Sequence, residues 1–281
     1  MKVGVVGSGT MGRALAQLFA QCADVDSLIW KGRTLDSVGE ARDFVLANWQ
    51  TMIDKKRSPS EVIDGFRGKL RVTSQFEDLR DIDIVIEAVS EEMEVKKSVF
   101  RELDCAVQDA AVLATNTSSL SINEIASVTR RPAQVIGLHF FNPALIMKLV
   151  EVVVVPGTSS VTLETARRVA TSVGKNPVIV HDAPGFIVNR MLIPMINEAV
   201  GILAEGVAAA DDIDKAMRFG ANHPIGPLTL ADLIGNDVVL SILTTLHRET
   251  GEPKYQAHPL LTRMVSESRL GRKTGRGFFE Y

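Results

Sequence analysis

Residues 1–22, MKVGVVGSGTMGRALAQLFAQC, decide the fold. Lys2–Val6 is a short apolar run of the kind that makes a buried strand. Gly7-Ser8-Gly9-Thr10-Met11-Gly12 then matches the spacing GxGxxG, and a helical pattern over Gly12–Cys22 puts Leu15, Leu18 and Phe19 on one face. The hexapeptide alone is weak, because a tight surface turn uses the same glycines. Between a strand and a helix it acquires a physical meaning. Gly7 permits the tight turn, Gly9 lets the backbone approach a pyrophosphate, and Gly12 lets helix and strand pack closely. Amides at the helix start then face the phosphates, which adds Thr10 and Met11 to the candidate cofactor residues.

Working outward, Ser27–Trp30 reads as a second strand, and its end should carry an acid for a ribose 2′-hydroxyl. It carries Lys31-Gly32-Arg33 instead. Two cations there could pair with a 2′-phosphate, so the reading leans from NAD towards NADP. The plain alternative is solvated loop charge with NAD as the cofactor. A long polar helix is expected over Leu35–Arg57, a short strand at Arg71–Thr73, and an apolar strand at Ile82–Ala88 that ends in an acid. A helix over Val95–Val107 and a strand at Ala111–Ala114 follow. This alternation predicts an α/β fold, a doubly wound sheet of the Rossmann type.

Near residue 135 the pattern changes. Strands Val135–Phe141 and Lys148–Val155 are separated only by NPALIM, too short for a crossover helix, so they should pair antiparallel. A helix over Thr162–Val173 and a strand at Pro177–Val180 close this antiparallel extension. After Asp182-Ala183-Pro184-Gly185 nothing reads as strand. Helices are expected over 185–205, with a kink at Pro194, and over 211–219, 227–249 and 258–269. The predicted domains are 1–183, dinucleotide-binding and catalytic, and 184–281, all-helical.

Composition narrows the class. The chain has 281 residues, 46% hydrophobic and 23% charged, with a net charge of −3. These are globular values and exclude collagen, coiled coil and disorder. The mild acidity disfavours nucleic acid as a partner. Cys22 and Cys105 lack metal or disulfide spacing and read as small buried apolar residues. His181, His247 and His258 read as surface or capping groups, His223 as turn chemistry, and Ser119 and Ser121 as loop hydrogen-bonders. Met191 and Met195 read as core or interface. No metal is expected. Apolar runs such as 149–155 fall well short of the roughly 18 residues that cross a bilayer, and the opening residues lack a signal peptide's apolar core. The expectation is a soluble cytoplasmic protein with no membrane partner.

His139 lies on one strand of the expected hairpin and Glu151 on the other. Their numbers centre on residue 145, inside the connecting loop, so a simple hairpin sets them opposite each other. Leu149, Glu151 and Val153 share one strand face, so this acid sits among apolar neighbours and needs a partner. A carboxylate on one ring nitrogen fixes the tautomer and makes the other a better base. A purely structural pair remains open on spacing alone.

Several strings carry a family resemblance: Asn116-Thr-Ser-Ser-Leu, Gly137-Leu-His-Phe-Phe-Asn-Pro, Lys148-Leu-Val-Glu-Val, Pro184-Gly-Phe-Ile-Val-Asn-Arg, His223-Pro-Ile-Gly-Pro-Leu and Leu270-Gly-Arg-Lys-Thr-Gly-Arg-Gly-Phe-Phe. With them the chain resembles the L-3-hydroxyacyl-CoA dehydrogenase family over nearly its whole length, most of all its bacterial short-chain 3-hydroxybutyryl-CoA members. The resemblance implies reversible oxidation of an L-3-hydroxyacyl-CoA to a 3-ketoacyl-CoA with NAD or NADP. It implies that His139 is the general base, that Glu151 orients it, and that Ser118 and Asn189 bond the substrate. Asn142 would position the nicotinamide. Glu91 and Lys96 would lie near the nicotinamide ribose and the substrate's pantetheine, Lys273 near the cofactor, and Lys55 (or equally Lys56) near the CoA nucleotide. A homodimer through the helical, substrate-binding domain is implied as well, and the first helix there is apolar on more than one face. Lys31 departs from the family's usual Asp. Two other readings stay open: a sugar-acid 3-dehydrogenase of the L-gulonate type, which would not use acyl-CoA, and a crystallin-like protein without activity.

Overall fold

A computed structural model describes residues 1–55 and 61–281. The chain divides into two compact units, Met1–Asp182 and Ala183–Tyr281.

The first unit is built on eight strands: β1 (Lys2–Val6), β2 (Ser27–Lys31), β3 (Leu70–Thr73), β4 (Ile84–Glu87), β5 (Val112–Thr115), β6 (Val135–Phe140), β7 (Leu149–Val154) and β8 (Asn176–His181). They form one sheet in the order β3-β2-β1-β4-β5-β6-β7-β8. Strands β1 to β6 pair parallel, and β1, β4 and β5 at the centre are buried over nearly their whole length, as parallel strands covered on both faces are. Strand β7 turns back antiparallel on β6, and β8 lies parallel to β7. The strand order reverses between β1 and β4, which creates a crevice beyond their carboxyl ends.

Helices α1 (Thr10–Ala20), α2 (Leu35–Asp54), α3 (Glu61–Lys69), α4 (Met93–Ala106), α5 (Ile122–Ala126) and α6 (Ser160–Ser172) accompany the sheet. α1 buries Leu15, Leu18 and Phe19 in the core with Trp30 and Val5. α2 opens with a reciprocal Thr34–Ser37 capping box. Two sequence expectations need correction here. The helix expected to reach Arg57 ends at Asp54, with Arg57 itself outside the described residues, and α3 follows where no element was foreseen. Its Phe66 packs edge-on to Trp49 of α2, with ring centroids 4.6 Å apart. Tertiary packing thus makes a helix of a segment whose two glycines, Gly65 and Gly68, disfavour one. Cys105, expected to be buried, is exposed, while Cys22 is buried.

The second unit is helical: α7 (Val188–Ala204), α8 (Ala210–Gly220), α9 (Pro227–Ile234), α10 (Asn236–Thr250) and α11 (Pro259–Ser266). Ile193, Ile196, Leu228, Leu243, Leu246 and Leu261 form its core. The single helix expected over 227–249 is two helices bent by 96°. Gly235 makes the break at φ 106°, a conformation that side-chain-bearing residues avoid. α7 runs through Pro194. Buried Asp214 accepts from the amides of Leu228 and Thr229, both at 2.8 Å, and so caps α9. His258 caps α11 through the amide of Leu260 at 3.1 Å, as its sequence context suggested. Among the described residues no single helix is long and apolar enough to cross a membrane.

Candidate active site

The glycine turn lies at the carboxyl edge of β1. Gly7 has φ +117°, and a Cβ there would sit 2.3 Å from the carbonyl oxygen of Ala88. A Cβ on Gly12 would sit 1.9 Å from the carbonyl oxygen of Gly7. Both positions exclude any side chain. Around Gly9 there is nothing within 4 Å of that point, so this is where the backbone stays open to a ligand. Gly9 also caps α1 without a side chain. The first-turn amides of Thr10 and Met11 are thereby left without an intrahelical acceptor, which suits an anion. The turn is braced from β2: Gly7 N–H donates to Lys31 O at 2.8 Å, and the Trp30 indole donates to Gly7 O at 2.7 Å. These residues fit the pyrophosphate of a dinucleotide.

At the end of β2 the two cations part company. Lys31 is buried, donates to Gly32 O at 3.0 Å, and lies over the Phe76 ring with Nζ 3.9 Å from the centroid. Burial pushes its ammonium below the ordinary lysine value, with Glu102 and Glu77 pulling the other way. Arg33 is exposed. The pair foreseen as equivalent is therefore one internal cation and one external one.

Beyond β4 and β5 a polar network ties the crevice together. Glu87, the last residue of β4, accepts from Lys96 Nζ at 2.8 and 3.1 Å, from the Val89 amide at 2.7 Å and from Thr115 Oγ1 at 2.7 Å. Lys96 also donates to Asn116 O at 3.1 Å and stands 3.5 Å from Glu91. Glu91 in turn accepts from Ser118 N–H at 2.8 Å, Ser118 Oγ at 3.2 Å and Thr117 Oγ1 at 2.5 Å. Glu87 and Lys96 are both wholly buried. Lys96, expected near the ligand, has its ammonium buried and bonded to Glu87 and Asn116. Glu87 itself was not picked out as a site residue. Its signal was present in the apolar run of Ile82–Ala88 that ends in an acid, a placement that needs a buried partner.

The hairpin completes the first unit's part of the site. His139 and Glu151 are register partners across β6 and β7. Nδ1 of His139 lies 2.7 Å from Oε2 of Glu151, and both side chains are buried. With Nδ1 engaged by the carboxylate, proton exchange by this imidazole would fall to Nε2. The Phe141 ring lies 4.3 Å from the imidazole, and exposed Asn142 follows it. Asn116 Oδ1 accepts from the Phe140 amide at 2.9 Å, which ties the Ser118 loop to the strand that carries His139. Ser121, read as a loop hydrogen-bonder, caps α5 and donates to Asp182 at 2.9 Å.

The remaining expected residues are on other elements. Asn189 is in the first turn of α7 and largely buried. Lys273 is in the second unit and donates to Asp237 Oδ1 and Oδ2 at 2.5 and 2.6 Å. Lys55 is exposed at the end of α2, and Lys56 is outside the described residues. No group of His, Cys, Asp and Glu that could hold a metal occurs among the described residues.

A glycine turn at a switch point and, on the same sheet, a buried imidazole–carboxylate pair point to the class: a nicotinamide-dinucleotide dehydrogenase. Comparison with known proteins narrows it. The model of the 3-hydroxyacyl-CoA dehydrogenase NAD-binding domain matches residues 2–183, and that of the C-terminal domain matches residues 185–281. A 3-hydroxybutyryl-CoA dehydrogenase of Clostridioides difficile is 50% identical over 285 residues, covering 100% of this chain and 99% of the relative. The mitochondrial hydroxyacyl-coenzyme A dehydrogenase of Homo sapiens is 36% identical, with coverage of 99% and 90%. The crystal structure of an (S)-3-hydroxybutyryl-CoA dehydrogenase from Ralstonia eutropha superposes with a TM-score of 0.94 at 38% identity, covering 100% of this chain and 98% of that one. The chain belongs to the 3-hydroxyacyl-CoA dehydrogenase family.

Proposed function

We propose that the protein interconverts a short-chain L-3-hydroxyacyl-CoA, 3-hydroxybutyryl-CoA above all, and its 3-ketoacyl-CoA. The observation that carries this is the buried His139–Glu151 contact of 2.7 Å at the carboxyl edge of the sheet. The hydride chemistry belongs to a nicotinamide dinucleotide bound at the glycine turn. The chain's own task is alignment and proton management. In the oxidative direction Nε2 of His139 takes the proton from the C3 hydroxyl, and the carboxylate of Glu151 balances the imidazolium. In reduction the same nitrogen returns the proton to the C3 oxygen. Ser118, fixed through Glu91, is the donor proposed for that oxygen.

The finer cofactor choice turns on Arg33. Lys31 is occupied by Phe76 and Gly32, so an added 2′-phosphate would meet Arg33 as the exposed cation after β2. The site then tolerates NADP beside NAD. Residues 184–281 serve as the substrate-binding and dimer-forming part, and the protein works in the cytoplasm.

The test is a spectrophotometric assay with acetoacetyl-CoA, run with NADH and with NADPH. Oxidation of either cofactor dependent on acetoacetyl-CoA is expected. Turnover of L-gulonate without it would move the substrate to the sugar acids. Arg33→Ala should lower the NADPH to NADH efficiency ratio about tenfold; an unchanged ratio would remove the arginine from cofactor choice.

A further inference from the structure

Lys175 stands in the turn between α6 and β8 and is 5% exposed. Its Nζ donates to the carbonyl oxygens of Ala144 at 2.5 Å and of Met147 at 2.8 Å. Among the described residues no carboxylate acts on it. Burial, and then the like charge of Lys148, push its ammonium below the ordinary lysine value. An unpaired buried cation costs stability, and an apolar side chain of the same length would fill the space without that cost. What Lys175 supplies instead is a donor set that neutral isosteres lack: three N–H groups on one tip, two of them spent on one loop.

That loop is the connection of the His139–Glu151 hairpin. Pro143 O accepts from the amides of Ile146 and Met147 at 2.9 and 3.0 Å, which curls the loop. The Asn176 amide donates to Lys148 O at 2.7 Å, beside the grip of Lys175. Lys175 and the first residue of β8 therefore hold three carbonyls of the segment from Ala144 to Lys148. Its first half carries Phe141, whose ring faces the imidazole, and Asn142.

We propose that Lys175 is a positioning residue for hydride transfer: by clamping Ala144 and Met147 it keeps Phe141 and Asn142 where His139 and a bound nicotinamide need them. The proposal rests on the dehydrogenase reading above. Small displacements of aligned groups are costly to the rate, up to about 100-fold for roughly 1 Å. They cost little in ground-state binding when the displaced group acts on the reacting centre.

The experiment compares Lys175→Met and Lys175→Gln with the native protein in acetoacetyl-CoA reduction. K175M should lose about 10- to 100-fold in kcat. Its KM for acetoacetyl-CoA and its Kd for NADH should stay within about threefold of native. Its Tm should stay close to native, because the relief of a buried charge offsets the two carbonyls left without their donor. K175Q, which keeps a donor but no charge, should fall between. A cycle with Asn142→Ala should show that K175M N142A loses less than the product of the single losses, since both act through one loop. Native turnover in K175M, or in K175Q should K175M fail to fold, overturns the proposal. So do a loss of kcat that merely follows a fallen Tm, and strictly multiplicative losses in the cycle. A native protein without activity on acetoacetyl-CoA is a different failure, that of the dehydrogenase reading itself.

Discussion

The roles proposed for His139, proton exchange, and for Glu151, holding its tautomer, predict that their replacements differ in kind from loss of fold. His139→Gln should cut kcat by about 10²–10⁴-fold, the usual worth of a positioned general base, while NADH binding measured by fluorescence stays near native. Glu151→Gln should cost about 10²-fold with the same pattern, because the wrong tautomer is then favoured. Equal loss of turnover and cofactor binding in both variants would make the pair structural. Glu87 answers to a different physics. Its carboxylate is the buried counter-charge of Lys96, at 2.8 Å. Glu87→Gln leaves that ammonium only the longer carboxylate contact, with Glu91 at 3.5 Å, at a cost of up to about 3–5 kcal/mol in urea unfolding. Replacing the partner too, as E87Q K96M, should restore part of it. A double variant no more stable than E87Q would mean that the two groups do not depend on each other.

At the scale of elements, α4 is joined to the segment after α5 by one carboxylate. Asp104 of α4 accepts from the Arg130 amide at 3.0 Å, from Arg130 Nε at 2.9 Å and from Arg131 Nε at 2.7 Å. Burial alone would raise its pKa, but the Arg130 amide, the two guanidinium hydrogen bonds and the charge of Arg131 outweigh it and hold it below the ordinary 3.8. The unfolded chain therefore takes up this proton first as pH falls. The stabilisation is whole above pH 3.8 and drains away as pH drops through the lowered folded value. Asp104→Asn should accordingly lose stability at neutral pH and show a flatter acid limb in a plot of unfolding free energy against pH. Parallel curves for native and variant would contradict this. The β6–β7 hairpin shows the complementary case: its antiparallel pairing and the His139–Glu151 register were legible because a six-residue connection leaves no other geometry. α3 was illegible because its helicity comes from Phe66 meeting Trp49, a contact between distant positions.

On the scale of the whole molecule, each unit has a core of its own, Val5, Trp30 and Ile136 in one and Ile196, Leu243 and Leu261 in the other. The second leaves Met191, Val207 and Phe219 more than two-thirds exposed. Such side chains on a helical surface suit a self-complementary interface, so the chain should sediment and scatter light as a dimer. Monomer mass at micromolar concentration would count against it. Met191→Glu together with Phe219→Glu should shift the equilibrium towards monomer if these residues are buried between copies.

The sequence by itself determined the α/β class, the glycine turn, the change to antiparallel pairing near residue 135, and the partnership of His139 with Glu151. Each of these follows from local spacing: period in a strand, residues per turn, or the length of a loop. The tertiary structure alone decided that Lys31 lies under Phe76 while Arg33 stays outside, that Lys96 belongs to Glu87 and Asn116, that Gly235 breaks a helix, and that Lys175 grips a loop about thirty positions away. Burial and partner choice are properties of what surrounds a charge, and those surroundings come from chain segments whose distance along the sequence carries no local mark.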